Sequence, residues 1–100
     1  MIVVRDIFRT KFGKAKEATA LWKQGLSIIH KLGYAKTTRL LTDVAGPDYY
    51  TLVMETTYDS LSQWEKAGKE MSANAECHNW YQQMVPLIET GHREILKEVE

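Results

Sequence analysis

The chain has 100 residues, with 13 Lys and Arg against 13 Asp and Glu and a formal net charge of zero. That length suits one domain over residues 1–100, and surface scaling lets such a chain bury roughly 65% of its unfolded surface, enough for a core without disulfides or metal. The 44% hydrophobic and 26% charged content excludes disorder, and zero net charge removes the electrostatic footprint of a nucleic-acid binder.

Targeting and redox signals are equally plain. The longest apolar run, Met1 to Val4, is far short of a membrane span. No basic segment followed by an apolar stretch marks a signal peptide. Cys77 is the single cysteine and closes no intramolecular disulfide, which fits a cytoplasmic setting. Charge is unevenly spread. Residues 1–33 carry seven basic and two acidic side chains, whereas residues 34–100 carry six basic and eleven acidic. Complementary segments lying against each other in the fold are the expected outcome.

Ile2 to Thr10 alternates, with Ile2, Val4, Asp6 and Phe8 on one parity and Val3, Arg5, Ile7 and Arg9 on the other, which predicts a strand. After Gly13, the positions Ala18, Leu21, Trp22, Gly25, Ile28, Ile29 and Leu32 form one helical stripe within Lys14–Leu32. Gly33 follows as the terminating glycine. Tyr34–Val44 predicts a second strand. Gly46-Pro47-Asp48 predicts a turn, and Tyr49–Tyr58 a third strand pairing with the second as a hairpin.

Ser60, with Gln63 three residues on, opens the next helix, whose stripe is Leu61, Trp64, Ala67 and Met71. A break is predicted at Ser72–Asn74. A further helix then carries Cys77, Trp80, Tyr81, Met84, Leu87 and Ile88, ending or kinking near Val85 because Pro86 lacks an N–H. His92 to Val99, after Gly91, alternates as the last strand. The order β-α-β-β-α-β is that of an α+β, ferredoxin-like sandwich with an antiparallel sheet, covered by helices on one face.

The second sheet face then carries Val3, Arg5, Ile7, Arg9, Thr51, Val53 and Glu55. It is more apolar than a solvated face needs to be, which points to a partner. Two such sheets face to face would bury it and satisfy Arg5 or Arg9 with Glu55.

The opposite parity holds the candidate site. Asp6 falls between Val4 and Phe8 on the helix-facing side, where an unpaired carboxylate is costly. The functional reading is a proton acceptor in a desolvated pocket. The structural reading is an ion pair with a lysine or a hydrogen bond to Tyr58, Tyr81 or an indole N–H. Arg5 and Arg9 point away, so no cation near in sequence reaches it. Trp22, Met54, Trp64 and Trp80 occupy core positions and are the candidate wall of a small-molecule pocket around Asp6. His30, His78 and His92 lack ligand spacing with one another or with Cys77, so no metal is expected. Cys77 reads as a small core residue and His30 as a helix-end cation.

Three segments carry a family resemblance. Arg5–Glu17, RDIFRTKFGKAKE, resembles the strand-turn-helix opening of NIPSNAP-like proteins of the dimeric α/β-barrel superfamily. Met54–Leu61, METTYDSL, resembles their third-strand exit, and Trp80–Leu87, WYQQMVPL, their late helix ending in proline. Phe12 stands where the family usually has proline. The resemblance implies a homodimer through the sheet face. It implies no single activity, since the superfamily holds cofactor-free monooxygenases, heme-degrading oxygenases, chlorite-dismutase relatives, lactone isomerases and members without known chemistry.

Heme-degrading members resemble the chain around YDSLSQWEKA, with a Trp at Trp64 and a ligating His near His78. Their first-strand Asn is Asp6 here, so heme is not expected as a cofactor, and no other cofactor is called for. Asp6 and His78 are thus the candidate catalytic residues. The implied function is a NIPSNAP-like protein binding a small apolar or aromatic molecule between helices and sheet. The alternatives are a cofactor-free monooxygenase and a non-catalytic interaction module.

Overall fold

The computed structural model describes residues 1–46 and 49–99. Strand β1 spans Ile2–Thr10, helix α1 Ala15–Leu32, β2 Thr37–Thr42 and β3 Thr51–Tyr58. Helices α2 (Leu61–Ala73) and α3 (Ala75–Met84) follow, then a 3-10 turn at Val85–Leu87 and β4 (Ile88–Lys97). The strands lie in the order β2-β3-β1-β4, antiparallel throughout. This is the ferredoxin-like βαββαβ arrangement expected from the sequence.

Each boundary has a local cause. The α1 stripe buries Ala18, Leu21, Trp22, Gly25 and Ile28 against the sheet, and Gly33 closes the helix at φ 74°, a conformation free of penalty only for glycine. Ser60 Oγ accepts the Gln63 backbone N–H at 3.3 Å. Asn74 is extended and its side chain accepts the Cys77 N–H at 3.0 Å. It therefore ends α2 and starts α3, the break anticipated at Ser72–Asn74. Phe12, where the resembled family has proline, packs edge-on against Tyr50 with ring centroids 5.6 Å apart. Of the expected turn, Pro47 and Asp48 lie outside the described residues.

The last strand departs from the sequence reading. It begins at Ile88, not His92, so Leu87 and Ile88 leave the helical stripe and pack on the core from the turn and the strand. Pro86 stops the helix, and the chain becomes extended within two residues. Gly91 is no strand boundary. It lies opposite Phe8 in the ladder, where an added Cβ would meet Phe8 Cδ1 at 2.7 Å. The missing side chain is what lets the Phe8 ring lie across the strand.

Strand parity holds. Leu52, Met54, Thr56 and Tyr58 of β3 are buried under the helices beside Val4 of β1. The other sheet face is open. One correction concerns its charges. Glu55 is satisfied within the chain, by Arg5 Nε at 2.9 Å and Arg39 Nε at 2.9 Å, because β1 and β2 place those arginines on either side of it. No partner sheet is needed for that pairing. The two arginines, Arg5 first, hold the Glu55 carboxyl below its ordinary range against the opposing effect of burial. Lys31 to Glu76 at 3.3 Å and Arg9 to Glu89 at 3.9 Å also join the basic N-terminal third to the acidic remainder.

A candidate small-molecule cavity between helices and sheet

The core beneath the helices is in two parts. One cluster packs Ala18, Leu21, Trp22, Leu52, Met54 and Met84. The other packs Val4, Tyr58 and Ala67, with Trp64 and Met71 against it. On β1 the two are separated by one residue, Asp6, which sits between Val4 and Phe8. A carboxylate cannot join either apolar cluster, and the opposing positions on α2 and α3 include the small residues Gly68, Ser72 and Cys77. The result is a cavity of about 700 Å³ that draws its walls from both clusters.

The apolar wall is rigid. Trp22 meets Phe8 at 4.9 Å and Trp80 at 5.0 Å between ring centroids, both edge-to-face. Trp80 is pinned a second way. Its indole N–H donates to the Leu21 carbonyl oxygen at 2.7 Å, and its ring lies where a Cβ on Gly25 would approach within 3.0 Å. Gly25 is thus the contact that lets α3 close on α1. Met54 and Met84 complete this side, and Met71 of α2 lies opposite.

Asp6 is paired, and by a residue that the sequence reading did not name. Arg93 Nε donates to Asp6 Oδ1. β4 lies beside β1 with Arg93 directly opposite Asp6, and no spacing argument brings a residue 87 positions away to that place. The structural alternative of an ion pair is the outcome, with an arginine where a lysine was anticipated. Arg93 also lies over the Trp64 ring, its Cζ 5.4 Å from the ring centroid, a cation–π contact. Tyr58 is buried nearby. Burial first, and the Asp6 charge second, push its phenol above the ordinary value, while Arg93 opposes. Tyr58 is therefore a neutral hydroxyl at physiological pH.

Asp6, His78, Trp22, Met54 and Trp80 all border the cavity. Trp64 does not line it; its part is to support Arg93 from behind. His78 stands at the exposed rim, its Nε2 accepting from the Gln82 side-chain amide at 3.1 Å. Cys77 is half-buried, and burial followed by the Glu76 charge raises its thiol above the ordinary value, so it is a poor nucleophile at neutral pH. Sequence reasoning missed Arg93, and it took Gly25 as one position of the α1 stripe and Gly91 as a boundary. Arg93 had a signal, since β4 must flank β1 in this strand order. Among the described residues no group of His, Cys, Asp and Glu is placed to hold a metal ion, and no helix is long and apolar enough to cross a membrane.

Solved structures share this fold. A NIPSNAP domain protein from Burkholderia xenovorans matches with a TM-score of 0.86 at 24% identity, covering 99% of this chain and 95% of that one. A NIPSNAP family protein from Agrobacterium tumefaciens matches with a TM-score of 0.85 at 22% identity, over 99% of this chain and 93% of that one. A candidate antibiotic biosynthesis monooxygenase from Nitrosomonas europaea matches with a TM-score of 0.81 at 12% identity over 100% of both chains. At these identities the likeness is one of fold. No family model matches the chain, and no curated protein does.

Proposed function

We propose that the chain is a single-domain, NIPSNAP-like cytoplasmic protein that binds a small apolar or aromatic molecule between its helices and its sheet. The observation that carries this reading is the cavity of about 700 Å³ walled by Phe8, Trp22, Met54 and Trp80, with one ion pair, Asp6–Arg93, at its side. Apolar walls with few polar groups are the usual make-up of a small-molecule site, and the volume is in the usual range. The likeness to NIPSNAP proteins in fold supports the family reading, and the lone Cys77 supports a reducing compartment.

The open sheet face supports a homodimer. Val3, Ile7, Leu41, Val53 and Leu96 share it with the Arg5–Glu55–Arg39 ladder. The chain is a plate 37 × 35 × 18 Å exposing 6763 Å², against ~5,800 Å² for a monomer of this mass. Sedimentation at micromolar concentration is expected to give twice the 11.5 kDa chain mass. A stable folded monomer overturns the dimer.

The binding reading is tested with N-phenyl-1-naphthylamine, a neutral apolar fluorophore. Saturable one-to-one enhancement that falls at least fivefold in Met54→Trp, which fills the cavity, supports it; no saturable binding overturns it. A second reading, cofactor-free oxygenation of the bound molecule by dioxygen, is favoured by Asp6 and His78 bordering the same cavity. Asp6 would accept the proton that the substrate loses as its electrons pass to dioxygen. Oxygen uptake with a bound phenol, abolished by Asp6→Asn, is its measurement.

A further inference from the structure

Of the residues around the cavity, Asp6 and Arg93 form an ion pair. They are not equally available. The Asp6 side chain is 22% exposed and the Arg93 side chain 52%. Arg93 uses Nε for Asp6, and its terminal nitrogens make no other hydrogen bond to a described residue. The guanidinium carbon lies over the Trp64 ring. Asp6 thus holds one edge of the fork and Trp64 one face. What remains is the outer edge, two parallel N–H groups in the geometry that grips a carboxylate with two bonds. Arginine held by two contacts loses little freedom on binding, which leaves more of the interaction as affinity.

The walls set the rest of the molecule. Phe8, Met54 and Trp80 border the cavity with Arg93, and the rings of Phe8, Trp22 and Trp80 are locked edge-to-face. Such a slot favours a flat apolar body over a flexible polar one. A neutral ligand would leave the outer guanidinium edge to water, and a cationic one would meet Arg93 unfavourably.

We propose that the cavity recognises an aromatic carboxylic acid, the ring lying among Phe8, Met54 and Trp80 and the carboxylate receiving the outer N–H groups of Arg93. This rests on the small-molecule reading above and adds the ligand's charge. Asp6 in this arrangement is a positioning residue that aims Arg93 by holding its Nε.

The test displaces N-phenyl-1-naphthylamine with three compounds of one shape: 2-naphthoate, 2-naphthamide and 2-naphthylmethylammonium. In the native chain the acid is expected to displace about tenfold better than the amide, the scale of a charge-assisted hydrogen bond. In Arg93→Gln the acid-to-amide ratio falls to about one. Equal displacement by acid and amide in the native chain overturns the acid site and leaves the cavity reading standing, as does better displacement by the ammonium compound, which would assign recognition to Asp6. Failure of the naphthylamine itself to bind overturns the cavity reading. If Arg93→Gln does not fold, Arg93→Lys decides: it keeps the charge and loses the two-bond fork, and an undiminished acid-to-amide ratio contradicts the proposal.

Discussion

Leu52 and Val53 are consecutive residues of β3 that face opposite ways. Leu52 is buried beneath α1 in the larger core cluster. Val53 stands on the open face, beside Ile7 of β1 and Leu41 of β2. The covered face is largely apolar, its polar groups being Thr10, Thr38, Thr42 and Thr56, the Tyr58 hydroxyl, Lys97 and the Asp6–Arg93 pair, and it is interrupted at that pair by a cavity. The open face mixes apolar side chains with a three-residue charge ladder. Consecutive residues of one strand thus have two tasks. One face folds the chain and shapes a pocket, and the other is the face proposed above to meet a second copy.

The largest expected effect separates those tasks directly. Leu52→Ala should cost about 2–5 kcal/mol in urea unfolding, through lost burial and a cavity. Val53→Ala, one residue on, should cost less than about 1 kcal/mol under monomeric conditions while weakening self-association. Equal costs would mean that the open face is already buried within one chain.

Next comes Gly91. Gly91→Ala pushes a methyl group into Phe8, at the 2.7 Å approach noted above, and should destabilise by about 1–3 kcal/mol. Adding Phe8→Leu should recover part of that loss in a double-mutant cycle. Thr90→Ala, on the opposite parity, should be nearly neutral. An alanine at position 91 with no cost would show that Phe8 is free to swing into the cavity.

The smallest effect is electrostatic. Glu55 lies between Arg5 and Arg39, and its carboxyl is held below the ordinary value of 4.5. A carboxylate lowered in the folded state adds stability that is fully present above its unfolded value and is lost as pH falls through the folded one. Glu55→Gln should therefore cost about 0.5–1 kcal/mol at pH 7 and nothing in acid below the folded value. A cost that persists in acid would assign Glu55 a packing role instead.

The two faces were not equally legible. Alternation in Ile2–Thr10 and Thr51–Tyr58 assigned both parities correctly, because side-chain direction in a strand follows from counting. The stripe of α1, the cap at Ser60 and the break at Asn74 were equally local. The centre of the site was not. Arg93 reaches Asp6 through a ladder between the two ends of the chain, and counting along β1 saw only Arg5 and Arg9, which point away. The start of β4 was misread for a related reason. Leu87 and Ile88 fit a helical period, but Pro86 ends the helix before them, and Gly91 mimics a boundary while serving as clearance for Phe8. Glu55 was paired with Arg5 or Arg9 across a dimer, whereas the ladder supplies Arg5 and Arg39 within one chain.

The covered face, not the open one, is the face proposed to hold the small molecule. The four methionines report on it. Met54, Met71 and Met84 border the cavity, and Met1 does not. Titrating N-phenyl-1-naphthylamine into protein carrying ¹³C-labelled methionine and valine methyl groups should shift the signals of Met54, Met71 and Met84, and leave Met1, Val3 and Val53 in place. Shifts at Val3 and Val53 with Met54 and Met84 unmoved would contradict the account, because the molecule would then be bound to the open face.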